Sequence, residues 1–463
     1  MAKHSKASSQ PSLPHSTRSR WRLPLIVLGL AGVAVVSAAT GALLAVSLAS
    51  TPLLQSRLSP QEAGVFAQDD LAKGQALRLP QLARPVNILV LGIKVLSSDL
   101  ENPPEEVQDL GYHALVNSFE GLSDTMLLIR FDPDADDLTV LSIPRDTRGY
   151  VEDVGVTKLN EANRIGGPAL SATAVSELLN DTRIDRYVRI NVQGVEKLID
   201  ALGGVDVYVP KDMKYTDESQ HLYIDLKEGE QTLNGDEAMQ FLRYRYDETG
   251  DIGRVQRQQT LMRAIQEQTL SPTTLTRIPQ IFSVIQSHVD TNLSVEELLA
   301  LVGFASQMER SDVQMVMLPG DFSTPGQYRL SYWIPQERAV SEMVARYFRH
   351  SSSEVGDRRS SNALRVAIQD STDNSEAVRR IVRRLNEAGY GNVYIAQDWS
   401  EPLLETRIIA QGGDVESAAV IQSVLGVGEV RVESTGVLQT DVTVQIGQDW
   451  LSQTASSQDS NTL

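Results

Sequence analysis

The chain has 463 residues, 41% hydrophobic and 22% charged, with 42 Lys+Arg against 60 Asp+Glu for a formal net charge of -18. That length allows two or three ordinary domains. The absence of cysteine excludes a disulfide framework, a thiolate metal site and a cysteine nucleophile. Six scattered histidines without an HExxH pair argue against a zinc enzyme, and GxSxG, Walker and GxGxxG motifs are all missing.

Residues 1–22 carry Lys3, Lys6, Arg18, Arg20 and Arg22 and no acid, and residues 23–50 carry no charge. The uncharged run exceeds the roughly 20 residues that cross a bilayer. It predicts a transmembrane anchor at 23–50 behind a cytoplasmic basic segment at 1–22, with everything after Ser50 facing outward. A cleaved signal peptide is the alternative, with SAAT and SLAS as candidate cleavage stretches. Beyond Ser50 the chain holds 37 Lys+Arg against 60 Asp+Glu, a formal net of -23. Such a body argues against nucleic acid as a partner.

Residues 51–84 read as a juxtamembrane linker. Short apolar runs follow at Val86–Ile93, Thr125–Phe131, Leu138–Ile143, Tyr187–Val192 and Val205–Val209. Runs without polar alternation predict strands covered on both faces. Between the last two, Gln193–Gly204 places Val195, Leu198, Ile199 and Leu202 at helical spacing and ends on a Gly pair. The expected fold class is therefore α/β, a layered domain over 85–272. Residues 273–349 carry helical patterns and either finish that domain or form a helical extension. A polar linker at 350–362 leads to a small α+β domain at 363–450, and the Ser/Gln/Asp-rich tail at 451–463 reads as disordered.

The stretch FLRYRYDETGDIGRVQRQQ, Phe241–Gln259, sets Arg243, Arg245, Arg254 and Arg257 among Asp247, Glu248 and Asp251. Its second half reads as a helix with an apolar stripe at Leu261, Ala264 and Ile265. One turn back, at i-3 and i-4, that stripe lands on Arg257 and Gln258, then on Arg254. A guanidinium on an inward face is costly unless paired. Two readings stay open: an internal salt-bridge network, or a socket for a polyanion, since arginine forks match phosphate oxygens. LSIPRDTRG, Leu141–Gly149, places Arg145, Asp146 and Arg148 at the carboxyl end of a strand, where open α/β sheets bind ligands. GLSDTMLLI, Gly121–Ile129, puts Ser123 and Asp124 at the entry of another strand, either as a surface turn or as a carboxylate for a Mg²⁺-bridged diphosphate.

Seven blocks in order, VNILVLG (Val86–Gly92), SDTMLLI (Ser123–Ile129), LSIPRDT (Leu141–Thr147), KLNEAN (Lys158–Asn163), IDALGGVDVYV (Ile199–Val209), LNGDEAMQFLRYR (Leu233–Arg245) and GDIGRVQRQQ (Gly250–Gln259), make the chain resemble the LytR-CpsA-Psr proteins, also called cell envelope-related transcriptional attenuators. The 363–450 module resembles the LytR C-terminal domain. The resemblance implies a single-pass plasma-membrane protein whose outward-facing α/β/α domain moves a glycopolymer from a polyprenyl-diphosphate carrier onto peptidoglycan. It implies that Arg145, Arg243, Arg245, Arg254 and Gln258 bind the diphosphate, with Arg257 of the same cluster grouped beside them. Asp124 would hold Mg²⁺ or Mn²⁺, and Asp251 would orient arginines or act as a base, with Arg243 and Arg245 in the catalytic set. Lys94 stands where the family commonly has an acid, and Leu122 where it often has arginine. A polyprenyl-diphosphate hydrolase and a non-catalytic glycolipid-binding or regulatory envelope protein are the alternative functions.

Overall fold

The structure, a computed structural model, describes residues 53, 55–75, 78–94, 119–218, 222–244, 251–269, 273–308, 312–324, 326–348, 364–411, 413–433, 435–437 and 440–459. The expected cytoplasmic segment and anchor lie outside the described residues. Among those that are described, no helix is long and apolar enough to cross a membrane.

Six strands build the central sheet: β1 (Val86–Lys94), β2 (Leu122–Asp132), β3 (Asp137–Ile143), β4 (Arg186–Asn191), β5 (Val289–Thr291) and β6 (Val313–Met317), in the spatial order β5-β4-β1-β2-β3-β6. β1 is parallel to β4 and antiparallel to β2, and β6 lies parallel on β3. Because side chains alternate along each strand, the register aligns two different faces. On one, Leu89, Leu91, Leu128, Leu141 and Val316 are at most 2% exposed. They pack with Ala162–Val175 of α1 (Glu161–Leu178), each large side chain contributing about 2 kcal/mol by leaving water. On the other face Val90, Ile129, Leu138, Val188, Met315 and Met317 are only half-buried. Part of that face is covered, with Val86 and Ile88 buried against Leu71, Leu293 and Leu301, and toward β3 and β6 Leu127, Val140, Met315 and Met317 line a cleft.

The helices continue as α2 (Val192–Leu202), α3 (Gly235–Arg243), α4 (Asp251–Thr269), α5 (Thr274–His288), α6 (Val295–Ala305) and α7 (Glu337–Tyr347). The expected stop after Leu202 is present, with Gly203 capping α2 at φ 86° in the left-handed region. Val205–Val209 does not join the central sheet. It pairs antiparallel with Gly229–Leu233 and packs Val205, Val207 and Val209 on α2, α3 and α4 in a separate core, while Asp206 faces water. An alternating strand of that kind needs cover on one face only. Residues 273–349, expected either to finish the domain or to form a helical extension, supply β5 and β6, both edge strands of the sheet.

The C-terminal domain is a five-stranded sheet of β7 (Arg365–Asp370), β8 (Asn392–Ile395), β9 (Arg407–Ala410), β10 (Glu429–Arg431) and β11 (Val442–Ile446), ordered β8-β7-β11-β9-β10. It packs on α8 (Ser375–Glu387) and α9 (Val415–Leu425). The tail read as disordered differs: α10 runs Gln448–Asp459, anchored by Trp450, which is 2% exposed and whose indole Nε1 donates to the Ala377 carbonyl at 3.3 Å. Trp450 is the last residue of the domain read from the sequence, so the helix runs on from that domain into the polar tail.

Candidate functional site

The β2–β3 ladder starts at Met126 opposite Ile143. Continued past its end, the same antiparallel register sets Asp124 across from Arg145. Arg145 Nη1 donates to Asp124 Oδ1 at 3.0 Å. On the other side, β1 pairs Gly92 with Thr125 and Ile93 with Ser123, which leaves Asp124 as the extra residue of a β-bulge. Bulges of this kind re-aim a side chain at a strand end. Gly92 permits it, because a Cβ there would lie 2.9 Å from Thr125 Cβ. Lys94 pairs directly with Leu122, so the two departures from the resembled family are cross-strand neighbours.

The Pro144–Thr147 turn is held at several points. Thr147 N and Oγ1 both donate to the Pro144 carbonyl, at 2.9 and 2.5 Å. Trp333 N donates to the Asp146 carbonyl, and Leu159 N to the Thr147 carbonyl, both at 2.9 Å. Asp146 accepts Lys158 Nζ at 2.9 Å and lies 3.7 Å from Arg145 Nε, itself buried without a hydrogen-bond partner. Asp124, Arg145, Asp146 and Lys158 thus form a chain of alternating charge. Each keeps a fifth to a third of its side chain in water. The rest of the KLNEAN block is structural: Asn163 Nδ2 donates to the Phe119 and Gly121 carbonyls, at 3.0 and 2.8 Å, fixing the approach to β2.

Helix α4 delivers the other wall. Gln258 and Gln259 line the same cleft as Asp124, Arg145 and Asp146, over an apolar lining that includes Met262, Met315, Met317 and Trp333. The cavity holds about 100 Å³. Of the residues singled out from the sequence, Asp124, Arg145, Asp146 and Gln258 therefore converge. Arg257 goes elsewhere: it continues the Leu261–Ala264 stripe as expected, 6% exposed, and its Nη2 donates to the Tyr244 carbonyl at 2.5 Å. Its guanidinium lies 5.8 Å from the Tyr244 ring. It holds the end of α3, where Arg243 sits half-buried in the last turn. Arg245, Asp247 and Glu248 lie outside the described residues, and Asp251 and Arg254 are placed by backbone only, in the first turn of α4. Sequence reading missed Gln259 and Lys158, and also Thr435 of the C-terminal domain, which lines the cleft too. For Gln259 the signal was its place beside Gln258 in the RQQ run; nothing marked Thr435.

Residues 59–349 match the model described as the LytR_cpsA_psr family, and residues 363–450 match the one described as LytR cell envelope-related transcriptional attenuator. A polyisoprenyl-teichoic acid–peptidoglycan teichoic acid transferase, TagU, from Bacillus cereus is 30% identical over 259 residues, 55% of this chain and 75% of that protein. TagV of Bacillus subtilis, described as the same type of transferase, is 31% identical over 245 residues, 51% of this chain and 62% of that protein. The crystal structure of B. subtilis TagV superposes with a TM-score of 0.46 at 27% identity, over 57% of this chain and 96% of that one.

Proposed function

The chain belongs to the LytR-CpsA-Psr family, and from that premise we propose that it is a transferase that moves a glycopolymer from a polyprenyl-diphosphate carrier onto peptidoglycan, held at the outer face of the plasma membrane by residues 23–50. The observation that carries the reading is the cleft in which Asp124, Arg145 and Gln258 meet beside a half-buried apolar sheet face. Arg145 presents a guanidinium to the diphosphate, and Arg243, Arg245 and Arg254 are the further arginines that the family resemblance assigns to it. The polyprenyl chain, which carries no hydrogen-bonding group, is accommodated by the apolar part of that cleft, lined by Leu127, Val140, Met315 and Met317.

The donor chemistry suits Mg²⁺ or Mn²⁺. Among the described residues no three His, Asp or Glu side chains cluster as a metal cage, and Mg²⁺ takes one or two carboxylates plus phosphate oxygens and waters. Asp124, which spends only Oδ1 on Arg145, and Asp146 are the carboxylates that would hold it. A bound ion would offset charge on the diphosphate. In the reaction, an acceptor hydroxyl oxygen bonds to the glycan-side phosphorus and the bridging P–O bond breaks, so polyprenyl phosphate leaves. Asp251 is the base candidate for the hydroxyl proton. Positioning and charge stabilisation suffice for phosphoryl transfer, which fits a site without a Cys or Ser nucleophile.

The test is incubation of the detergent-solubilised chain with a polyprenyl-diphosphate oligosaccharide, Mg²⁺ and peptidoglycan fragments, beside Arg145→Ala and Arg243→Ala. A glycan-phosphate adduct on the acceptor, lost in both variants, supports the transferase. Polyprenyl phosphate release without an adduct supports the hydrolase, and binding without any product supports a glycolipid-binding protein.

A further inference from the structure

Helix α4 turns three surfaces to three neighbours. Leu261 and Ala264 enter the core beneath Val205–Val209, Gln258, Gln259 and Met262 line the cleft, and Arg263 is buried against the C-terminal domain, its Nη2 donating to Glu401 Oε2 at 3.0 Å. That domain is seated at two further places. Met315 N donates to the Val432 carbonyl at 2.8 Å, covering the free edge of β6, and Arg346 Nη1 and Tyr347 Oη both donate to the Gly413 carbonyl at 2.8 Å. The result is that Thr435, 3% exposed, joins the lining of a cleft otherwise built by the family domain.

Gln259 in that cleft is 7% exposed, and neither its amide oxygen nor its amide nitrogen has a hydrogen-bond partner in the protein. A fold seldom leaves both ends of a buried amide unsatisfied unless something else occupies the space beside it. Thr435 Oγ1 donates to Glu433 Oε2 at 3.0 Å, which leaves its lone pairs as acceptors. Neither side chain carries charge to offset a phosphate, and neither serves an isoprene chain. Together they offer one amide donor, one amide acceptor and one hydroxyl acceptor, the complement of a sugar hydroxyl or acetamido group.

We propose that the C-terminal domain completes the donor cleft, and that Gln259 and Thr435 form a neutral polar subsite for a hydroxyl or acetamido group on the sugar next to the diphosphate. This rests on the transferase reading. Gln259 and Thr435 are specificity residues on this assignment, and Glu401 is a positioning residue that keeps Thr435 in place through Arg263.

The experiment measures the affinity of the full chain in detergent for polyprenyl diphosphate bare and bearing one N-acetylhexosamine. The wild type binds the sugar-bearing ligand more tightly. The near-isosteric Gln259→Met reduces that preference roughly 10-fold, the scale of a lost hydrogen bond to a buried group, and leaves the bare ligand within about twofold. Thr435→Val and Glu401→Gln reduce the preference in the same direction, and Arg145→Ala weakens both ligands alike. Equal weakening of both ligands by Gln259→Met would mean that the amide contacts phosphate and would overturn the sugar subsite. An intact preference in both Gln259→Met and Thr435→Val overturns it as well. Failure of the wild type to bind either ligand defeats the transferase reading itself, and the subsite with it.

Discussion

Asp124→Asn separates binding chemistry from stability at the strand ends. The ion pair with Arg145 is short, 3.0 Å, but a quarter of each side chain faces water. Pairs screened to that degree contribute about 0–1 kcal/mol, so the substitution costs less than about 1 kcal/mol in chemical denaturation. Its effect on the ligand is larger and depends on the cation. In the wild type, Mg²⁺ is expected to strengthen donor binding if Asp124 supplies the carboxylate proposed for it. The asparagine variant loses that enhancement and keeps the Mg²⁺-free affinity, since Arg145 stays in place beside Asp146. Arg145→Ala, by contrast, removes a charge-assisted contact of about 1.5–3 kcal/mol and weakens binding roughly 10- to 150-fold, with or without the ion. Isothermal titration with a polyprenyl-diphosphate donor, in Mg²⁺ and in EDTA, reads both effects. The reasoning is refuted if Asp124→Asn retains full Mg²⁺ dependence, or if it costs more than about 2 kcal/mol of stability.

Three further outcomes are expected. Gly92→Ala places a Cβ 2.9 Å from the stiff, β-branched Thr125; it destabilises by about 1–3 kcal/mol and lowers turnover by displacing Asp124, and a stability loss below about 0.5 kcal/mol in urea would contradict the bulge argument. Burial pushes the Glu401 carboxyl up, but Arg263 and Arg407 outweigh it and hold it below its ordinary value of 4.5. Its contribution to docking is therefore complete above that value and lost as pH falls below it, so the protection factor of the Met315 amide, corrected for the intrinsic exchange rate at each pH, should fall on acidification in the wild type and change little in Glu401→Gln. Trp450→Ala removes a side chain that is 2% exposed and should cost the C-terminal domain about 3–5 kcal/mol, seen by calorimetry as a lowered transition; an unchanged transition would show that α10 is dispensable.

The sheet was largely legible. Val86–Ile93, Thr125–Phe131, Leu138–Ile143 and Tyr187–Val192 each fall on an observed strand within a few residues, because strands with apolar cover on both faces have no room for polar alternation. VDVYV was assigned to the same sheet by texture, yet its Asp206 points to water and its partner is Gly229–Leu233. The short edge strands Val289–Thr291 and Val313–Met317 escaped notice because so few residues set no period of their own. In the site, the inward stripe on α4 correctly placed Arg257 inside, but periodicity could not tell an arginine that caps Tyr244 from one that faces a ligand.

Sequence alone determined the motif order, the two-domain body, and the residues Asp124, Arg145 and Gln258 that meet in the cleft, since strand ends and helix faces follow from local pattern. Tertiary structure decided what those residues face. The Asp124–Arg145 pair depends on how two ladders are registered and on one bulge, and the inclusion of Thr435 depends on the docking of a domain nearly two hundred residues along the chain from Gln258. Contacts of that kind arise from long-range packing, which no local period encodes.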